Sequence, residues 1–216
     1  MKKIVGIISA CAIGITASSY MYITSDLHSE ASSSDENKIN TQQVLPKGTV
    51  HPEINVYTFE EVVKKADLIA EIEITKKVKE LSEPSPKTLF EAKILEGYKE
   101  SKELETIKIL QAGNSEWIFD DHEPFKENEK YILFLKTAVG EEFEGTDTYW
   151  LLGANTNTYS VLNDNQIMKN ALYDEELALI EDTVESRSLS DSTDIQFFNK
   201  DVFLKKLDEV ITITEQ

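Results

Sequence analysis

One short acidic segment holds the residues of this sequence whose types could bind a metal ion or move a proton. In "EWIFDDHEPF", His122 is flanked by Asp120, Asp121 and Glu123. One imidazole among carboxylates resembles the ligand sets of Ca, Mg or Mn sites more than a closed zinc site. The spacing does not match an EF-hand loop. Because charge runs between strands are usually solvated, we interpret the segment as an acidic loop and keep the metal or catalytic role as the alternative.

Catalysis by cysteine or by an activated serine, and phosphate binding by a glycine-rich loop, lack their sequence signatures, and no pair among the 40 acidic residues is singled out as a glycosidase pair. Of the three histidines, His28 and His51 lie in a polar N-terminal stretch, so a His-dependent mechanism in the folded part would need His122. The only cysteine is Cys11, and the sequence contains neither a GxSxG nucleophile elbow nor a glycine-rich phosphate loop. The sequence therefore predicts no cofactor and favours a binding protein over an enzyme.

The same segment carries two aromatic residues, Trp117 and Phe119. Aromatic side chains of this kind either fill a barrel core or, in an open loop, anchor a protein partner. We take Trp117 and Phe119 as candidate partner-binding residues.

The charge balance restricts the partners. The chain has 40 Asp and Glu against 22 Lys and Arg, which gives a formal net charge of -18. Nucleic acid is excluded as an expected partner, because phosphate backbones are bound by clustered Lys and Arg. The charge instead favours a protein or a basic peptide, whose binding salt would weaken.

The N-terminus predicts export from the cytoplasm. Lys2 and Lys3 precede an uncharged, mostly apolar stretch, so residues 1–24 are expected to be a signal peptide or a signal anchor. Cleavage after Ser19 and retention as an anchor are both open, and lipidation of Cys11 in a lipobox-like "ISAC" is a third possibility. We expect an extracytoplasmic protein, secreted or anchored to the cell membrane by its N-terminus, that meets the membrane only through this segment.

Residues 25–53 are polar and predict a disordered tether, and residues 54–170 carry the patterns of a β-barrel domain. Thr58 and Glu61 could form a capping box for a short leading helix. Segments of alternating hydrophobicity then predict antiparallel strands, in the order "LIAEIEITKKV", "TLFEAKILEGY", "ETIKILQ", "YILFLK", "TYWLLG" and "NTYSVL".

"YILFLK" is apolar on both faces, so it is expected at a central position with a helix as its outer cover. Residues 171–216 predict a C-terminal helical segment packed on the barrel, with Asp174 as an N-cap and Phe203, Leu207, Val210 and Ile211 as the buried stripe of the last helix. The predicted fold class is α+β, a small antiparallel OB-like β-barrel with a short leading helix and C-terminal helices.

Residues 66–162 resemble the netrin-module or TIMP-like domains, which are OB-type barrels also found in secreted proteins of Gram-positive bacteria. The resemblance is carried by Ala66-Asp67-Leu68-Ile69, Gly97-Tyr98-Lys99 and the strand from Lys130 to Leu135. It implies an OB-type barrel. Inhibitory members chelate a protease metal through an N-terminal cysteine, and no cysteine follows Cys11, so that activity does not carry over. Asn128 stands where the family's "GxxYLLF" pattern has glycine.

Two functions follow as expectations from these observations. The first is a non-enzymatic binding module of the cell envelope, which contacts its partner through barrel loops that include residues 117–124. The alternative is a hydrolytic or metal-dependent enzyme centred on His122.

Overall fold

The computed structural model describes residues 48–50, 55–100, 104–119, 123–183 and 194–214. Within them lie two α-helices, α1 (Phe59–Lys65) and α2 (Lys200–Thr214), and three 3-10 helices at Glu141–Phe143, Ala154–Asn157 and Glu175–Ile180. The strands are β1 (Gly48–Val50), β2 (Leu68–Leu81), β3 (Lys87–Lys99), β4 (Thr106–Ala112), β5 (Trp117–Phe119), β6 (Lys130–Thr137), β7 (Thr148–Leu151), β8 (Thr158–Asn163), β9 (Gln166–Asn170) and β10 (Ile195–Asn199).

Five of these strands close into a barrel in the order β6-β2-β3-β4-β7, with β7 pairing back to β6. β4 and β7 run parallel, and the other neighbours in the barrel are antiparallel. The fold is α+β and fits the small OB-like barrel that the sequence predicts. Apolar residues at alternate positions of the strands fill the interior, and they include Leu68, Ala70, Ile72, Ile74, Phe90, Ala92, Ile107 and Ile109.

Strand β6 buries both of its faces, as its sequence predicts. Tyr131, Leu133 and Leu135 point into the barrel, whereas Ile132 and Phe134 belong to a second apolar cluster on the outside. The outer face is covered by both helices and by the strands β8, β9 and β10, which continue the sheet beyond β6.

Aromatic rings dominate this outer core. Phe203 of α2 lies with its ring centroid 5.4 Å from that of Phe59 and 4.7 Å from that of Tyr159. The predicted stripe of α2 is confirmed, since Phe203, Leu207, Val210 and Ile211 are all buried. The last helix is therefore held by its apolar stripe.

The ends of α1 are fixed by local hydrogen bonds. Thr58 and Glu61 form the predicted capping box, in which each side chain accepts a hydrogen bond from the other residue's backbone N–H. After the helix, the carboxylate of Asp67 accepts hydrogen bonds from the Lys136 ammonium, at 2.5 Å, and from the Thr137 N–H, at 2.9 Å. Asp67 thus ties the start of β2 to the end of β6.

Three elements differ from the sequence-based expectation. The segment after Asp174 is a 3-10 helix, although Asp174 does cap it by accepting a hydrogen bond from the Glu176 N–H. Strand β10 lies within the segment predicted as helical, because Phe197 and Phe198 pair with β9 and enter the core. Residues 48–50, in the predicted tether, form β1 and pair in parallel with β5.

No helix in the described ranges is long and apolar enough to cross a membrane. The predicted signal segment 1–24, with Cys11, lies outside the described residues.

Replacement of Phe203 by alanine tests the outer core. Phe203 is fully buried among three aromatic rings, so Phe203→Ala should lower the free energy of unfolding by about 3–5 kcal/mol. Leu179, which is 98% exposed, is the control, and Leu179→Ala should change it by less than about 0.5 kcal/mol. Urea unfolding followed by tryptophan fluorescence measures both. Equal midpoints for the two variants would contradict the packing described.

Candidate functional site

The predicted acidic segment is only partly described. Asp120, Asp121 and His122 lie outside the described residues. Glu123 is exposed, and its carboxylate lies 2.7 Å from the Lys126 ammonium. Among the side chains that the structure describes, no three His, Cys, Asp or Glu residues are grouped to hold a metal ion.

A groove of about 840 Å³ opens beside this segment, and we refer to it as the loop–hairpin groove. One wall is the loop 123–130, and the other is the hairpin formed by β8 and β9. Polar side chains make up most of the lining; they are Glu71, Gln111, Glu123, Lys126, Asn128, Glu129, Lys130, Asn155, Thr158, Ser160, Asn163, Asp164 and Lys200, with Phe125, Tyr131, Leu162 and Met168 among the apolar ones.

The groove exists because two strands that pair at one end separate at the other. Pairing between β6 and β8 ends at Tyr131 opposite Ser160. Before that point the chain turns toward β2, where the Asn128 N–H donates to the Ile74 carbonyl at 2.8 Å. Strand β8 continues with β9 as far as Asn163. The edge of β8 beyond Ser160 therefore faces the groove instead of β6.

Asn128 makes the turn that separates the strands. Its φ of 67° lies in the left-handed region, which favours glycine but which asparagine tolerates better than most residues. The turn therefore forms without a glycine at this position.

A buried ion pair lies at the base of the groove. The Lys200 ammonium is 2.7 Å from the Glu71 carboxylate, and their side chains are only 15% and 8% exposed. The Tyr98 hydroxyl donates a hydrogen bond to the same carboxylate at 3.1 Å. Burial, together with the charge of Glu71, raises the pKa of Tyr98 above its usual value, so the hydroxyl remains a donor. Lys200 begins α2, so the pair also joins that helix to the barrel.

Gln111 fixes the loop wall. Its side-chain carbonyl accepts the Phe125 N–H at 2.9 Å, and its amide donates to Asn155 Oδ1 at 3.3 Å and to the Glu123 carbonyl at 3.4 Å. Phe125 in turn packs against Phe90 and Tyr131 of the barrel. Hydrogen bonds to Gln111 and ring packing around Phe125 thus hold this wall in place.

The groove is polar and mixed in charge. Four carboxylates and three ammonium groups line it. Two of the carboxylates form ion pairs with two of the ammonium groups, Glu71 with Lys200 and Glu123 with Lys126. The Tyr131 hydroxyl donates to Glu129 at 2.5 Å. Burial and this carboxylate raise the pKa of Tyr131. Asp164, at the hairpin tip, is exposed. The groove can therefore accept cationic and hydrogen-bonding groups.

The two aromatic candidates lie on β5, apart from the groove lining. Trp117 is 37% exposed and Phe119 is half-buried. Asn114 holds the turn that leads to β5, because its side-chain oxygen accepts the N–H groups of Glu116 and Trp117, both at 3.0 Å. The strand β1 pairs with this segment.

Comparison with protein-family models and with curated proteins finds no match to this chain.

Several lining residues were not identified from the sequence. Glu71 lies in an alternating strand and is expected on the solvent face, and Lys200 lies far from it in the chain. No local pattern joins these two residues. The sequence gives one weak indication of a structural role for Gln111, because it is a polar residue at the end of an apolar strand, "IKILQ".

Removal of the ammonium of Lys200 tests the ion pair. Lys200→Met would leave the buried carboxylate of Glu71 without its cation, so the free energy of unfolding should fall by about 3 kcal/mol. Lys206 is the matched control, because its ammonium lies 4.0 Å from an exposed Glu60 carboxylate, and Lys206→Met should cost less than about 1 kcal/mol. Urea titration distinguishes the two variants. A similar small loss in both would contradict the burial of the Glu71 charge beside Lys200.

Proposed function

We propose that this protein is a non-enzymatic binding module of the cell envelope that takes an extended basic segment of a partner protein into the loop–hairpin groove. The observation that carries the proposal is the separation of β6 from β8 after Ser160. It leaves a strand edge along the side of a cavity of about 840 Å³. An extended peptide can pair with such an edge through its backbone and place alternate side chains in the groove.

The preference for a basic partner rests on charge. The formal net charge of -18 favours the approach of cations over long distances. Within the groove, Glu129 and Asp164 border the two walls, and Glu71 is already neutralised by Lys200. A lysine side chain reaching either wall would therefore meet a carboxylate.

The hydrogen-bonding groups of the groove suit a peptide backbone. Ser160, Asn163 and Asn155 can each donate and accept, and they follow the groove from the barrel to the hairpin tip. Because the loop wall is fixed by Gln111 and by the rings around Phe125, little ordering of that wall is needed when the partner binds.

Placement in the envelope rests on the N-terminal sequence, with its two lysines followed by an uncharged stretch. The relevant partners are accordingly sought among extracytoplasmic proteins.

Site-specific photo-cross-linking tests the proposed function. A benzophenone amino acid replaces Leu162, which lines the groove, and in a control replaces Leu179, which is exposed and lies outside it. In envelope preparations, the group at position 162 should capture a partner protein that excess lysine–threonine peptide KTKTKTK displaces. Capture should weaken as salt is raised.

The same envelope preparation distinguishes the binding module from the alternative, an enzyme centred on His122. Under the binding proposal, His122→Ala leaves the capture at position 162 unchanged. Equal capture at positions 162 and 179, or capture that the peptide does not displace, would overturn the groove as the binding site. Loss of a hydrolytic activity in His122→Ala would support the enzyme instead.

A charge reversal at the hairpin tip tests the preference for a basic partner. Asp164→Lys places a positive charge beside the groove, and the affinity for fluorescein-labelled KTKTKTK should fall about fivefold, equivalent to roughly 1 kcal/mol. Asp208→Lys changes the net charge by the same amount on an exposed position of α2. It should change the affinity by less than about twofold. Equal losses in the two variants would show a general charge effect without a site at the groove.

A further inference from the structure

The edge of β5 is a second surface with the features of a strand-binding site, and the chain itself occupies it. Gly48, Thr49 and Val50 of β1 pair in parallel with Trp117, Ile118 and Phe119 in turn. The Gly48 N–H donates to the Glu116 carbonyl at 3.3 Å. Pairing of an extended segment with an open edge is a general mode of peptide recognition.

The β5 side of this contact is held by bonds that do not involve β1. Asn114 accepts the N–H groups of Glu116 and Trp117, its own N–H donates to the Trp117 carbonyl at 2.8 Å, and its side-chain amide donates to the Leu81 carbonyl at 3.3 Å. Glu80 accepts both the N–H and the hydroxyl of Ser115, at 3.2 and 2.6 Å.

These bonds also keep Glu80 ionised. Burial raises the pKa of the Glu80 carboxyl, but hydrogen bonds from Lys77 and Ser115 outweigh it and hold the pKa below its usual value. The turn that presents Trp117 is therefore built independently of the strand that it receives.

The β1 side, by contrast, depends on a small contact that requires glycine at position 48. Gly48 lies under the Trp117 ring, and a Cβ placed on Gly48 would come within 2.8 Å of the ring carbon Cζ3. Only glycine fits there without movement of the ring or of the strand. Thr49 is exposed, and the paired strand has three residues. Short exposed strands of this kind open at low free-energy cost.

We propose that the edge of β5 is a docking site for an extended peptide strand with glycine facing Trp117, and that the chain's own residues 48–50 are its exchangeable resident. The resident joins the segment before the barrel to the turn at Asn114. While it is bound, the indole face of Trp117 is covered by Gly48. Displacement of the resident frees both the indole face and the strand edge for the same kind of segment supplied by another molecule.

The test uses the full chain and a labelled copy of the resident sequence. The probe is fluorescein-labelled VLPKGTVHPE, and the control probe is VLPKLTVHPE, in which leucine replaces the glycine. Gly48→Leu displaces the resident and should bind the glycine probe at least about tenfold more tightly than the unchanged chain, whose tethered segment competes at a high effective concentration. The leucine probe should bind neither protein. Adding Trp117→Ala to Gly48→Leu should abolish binding of the glycine probe.

A second measurement shows whether the resident docks within its own chain. In a Cys11→Ser background, Thr49→Cys with Ile118→Cys places two cysteines at paired positions. Oxidation should give a monomeric, intrachain disulfide on a non-reducing gel. A predominantly interchain product would overturn the assignment of residues 48–50 as a resident in cis.

Failure of this proposal is distinguishable from failure of the proposed function. Gly48→Leu should still unfold cooperatively in urea, which shows that the variant is folded whether or not the loop–hairpin groove binds labelled KTKTKTK. The docking site is overturned if that variant binds VLPKGTVHPE no better than the unchanged chain, or binds both probes equally.

Discussion

The burial of both faces of β6 is the constraint on which the rest of the described structure depends. Its inner residues complete a five-stranded barrel, and its outer residues, Ile132 and Phe134, need a separate apolar cover. Both helices and the strands β8 to β10 supply that cover, with Phe203 at its centre. A barrel of this size alone would leave one face of β6 in water. The outer layer is therefore part of the same folding unit as the barrel, because each completes the core of the other.

The candidate binding site follows from the same constraint. β6 pairs with β8 at one end and with β7 at the other, so neither neighbour follows it along its whole length. Where β8 separates from β6, a polar cavity opens, and the ion pair of Glu71 with Lys200 lies at the base of the gap. A buried pair of this kind adds little net stability compared with apolar residues, but it specifies where α2 begins. The pair thus joins the first residue of α2 to β2 beside the groove.

The sequence predicts the parts of this architecture that depend on local periodicity. It predicts the barrel interior, because alternating apolar residues indicate a strand that is buried on one face. It also predicts the strand from Tyr131 to Leu135, because a continuous apolar run indicates burial on both faces. The alternation of "TLFEAKILEGY" predicts Tyr98 on the same face as Phe90. This prediction is wrong, because register shifts between β2 and β3 bring Tyr98 to the outer cluster, beside Glu71. The alternation of apolar residues alone does not show which residue of a strand is bulged. The apolar pattern also does not predict contacts between distant segments, such as that of Glu71 with Lys200.

Backbone hydrogen exchange tests most directly the claim that the gap between β6 and β8 is a peptide-binding groove. The exchange rates of the full chain are compared with and without KTKTKTK. We expect slower exchange in residues 161–164, on the hairpin wall, and in residues 126–130, on the loop wall, with residues 204–214 of α2 unchanged. Unchanged rates at both walls, or protection of equal size in α2, would contradict it.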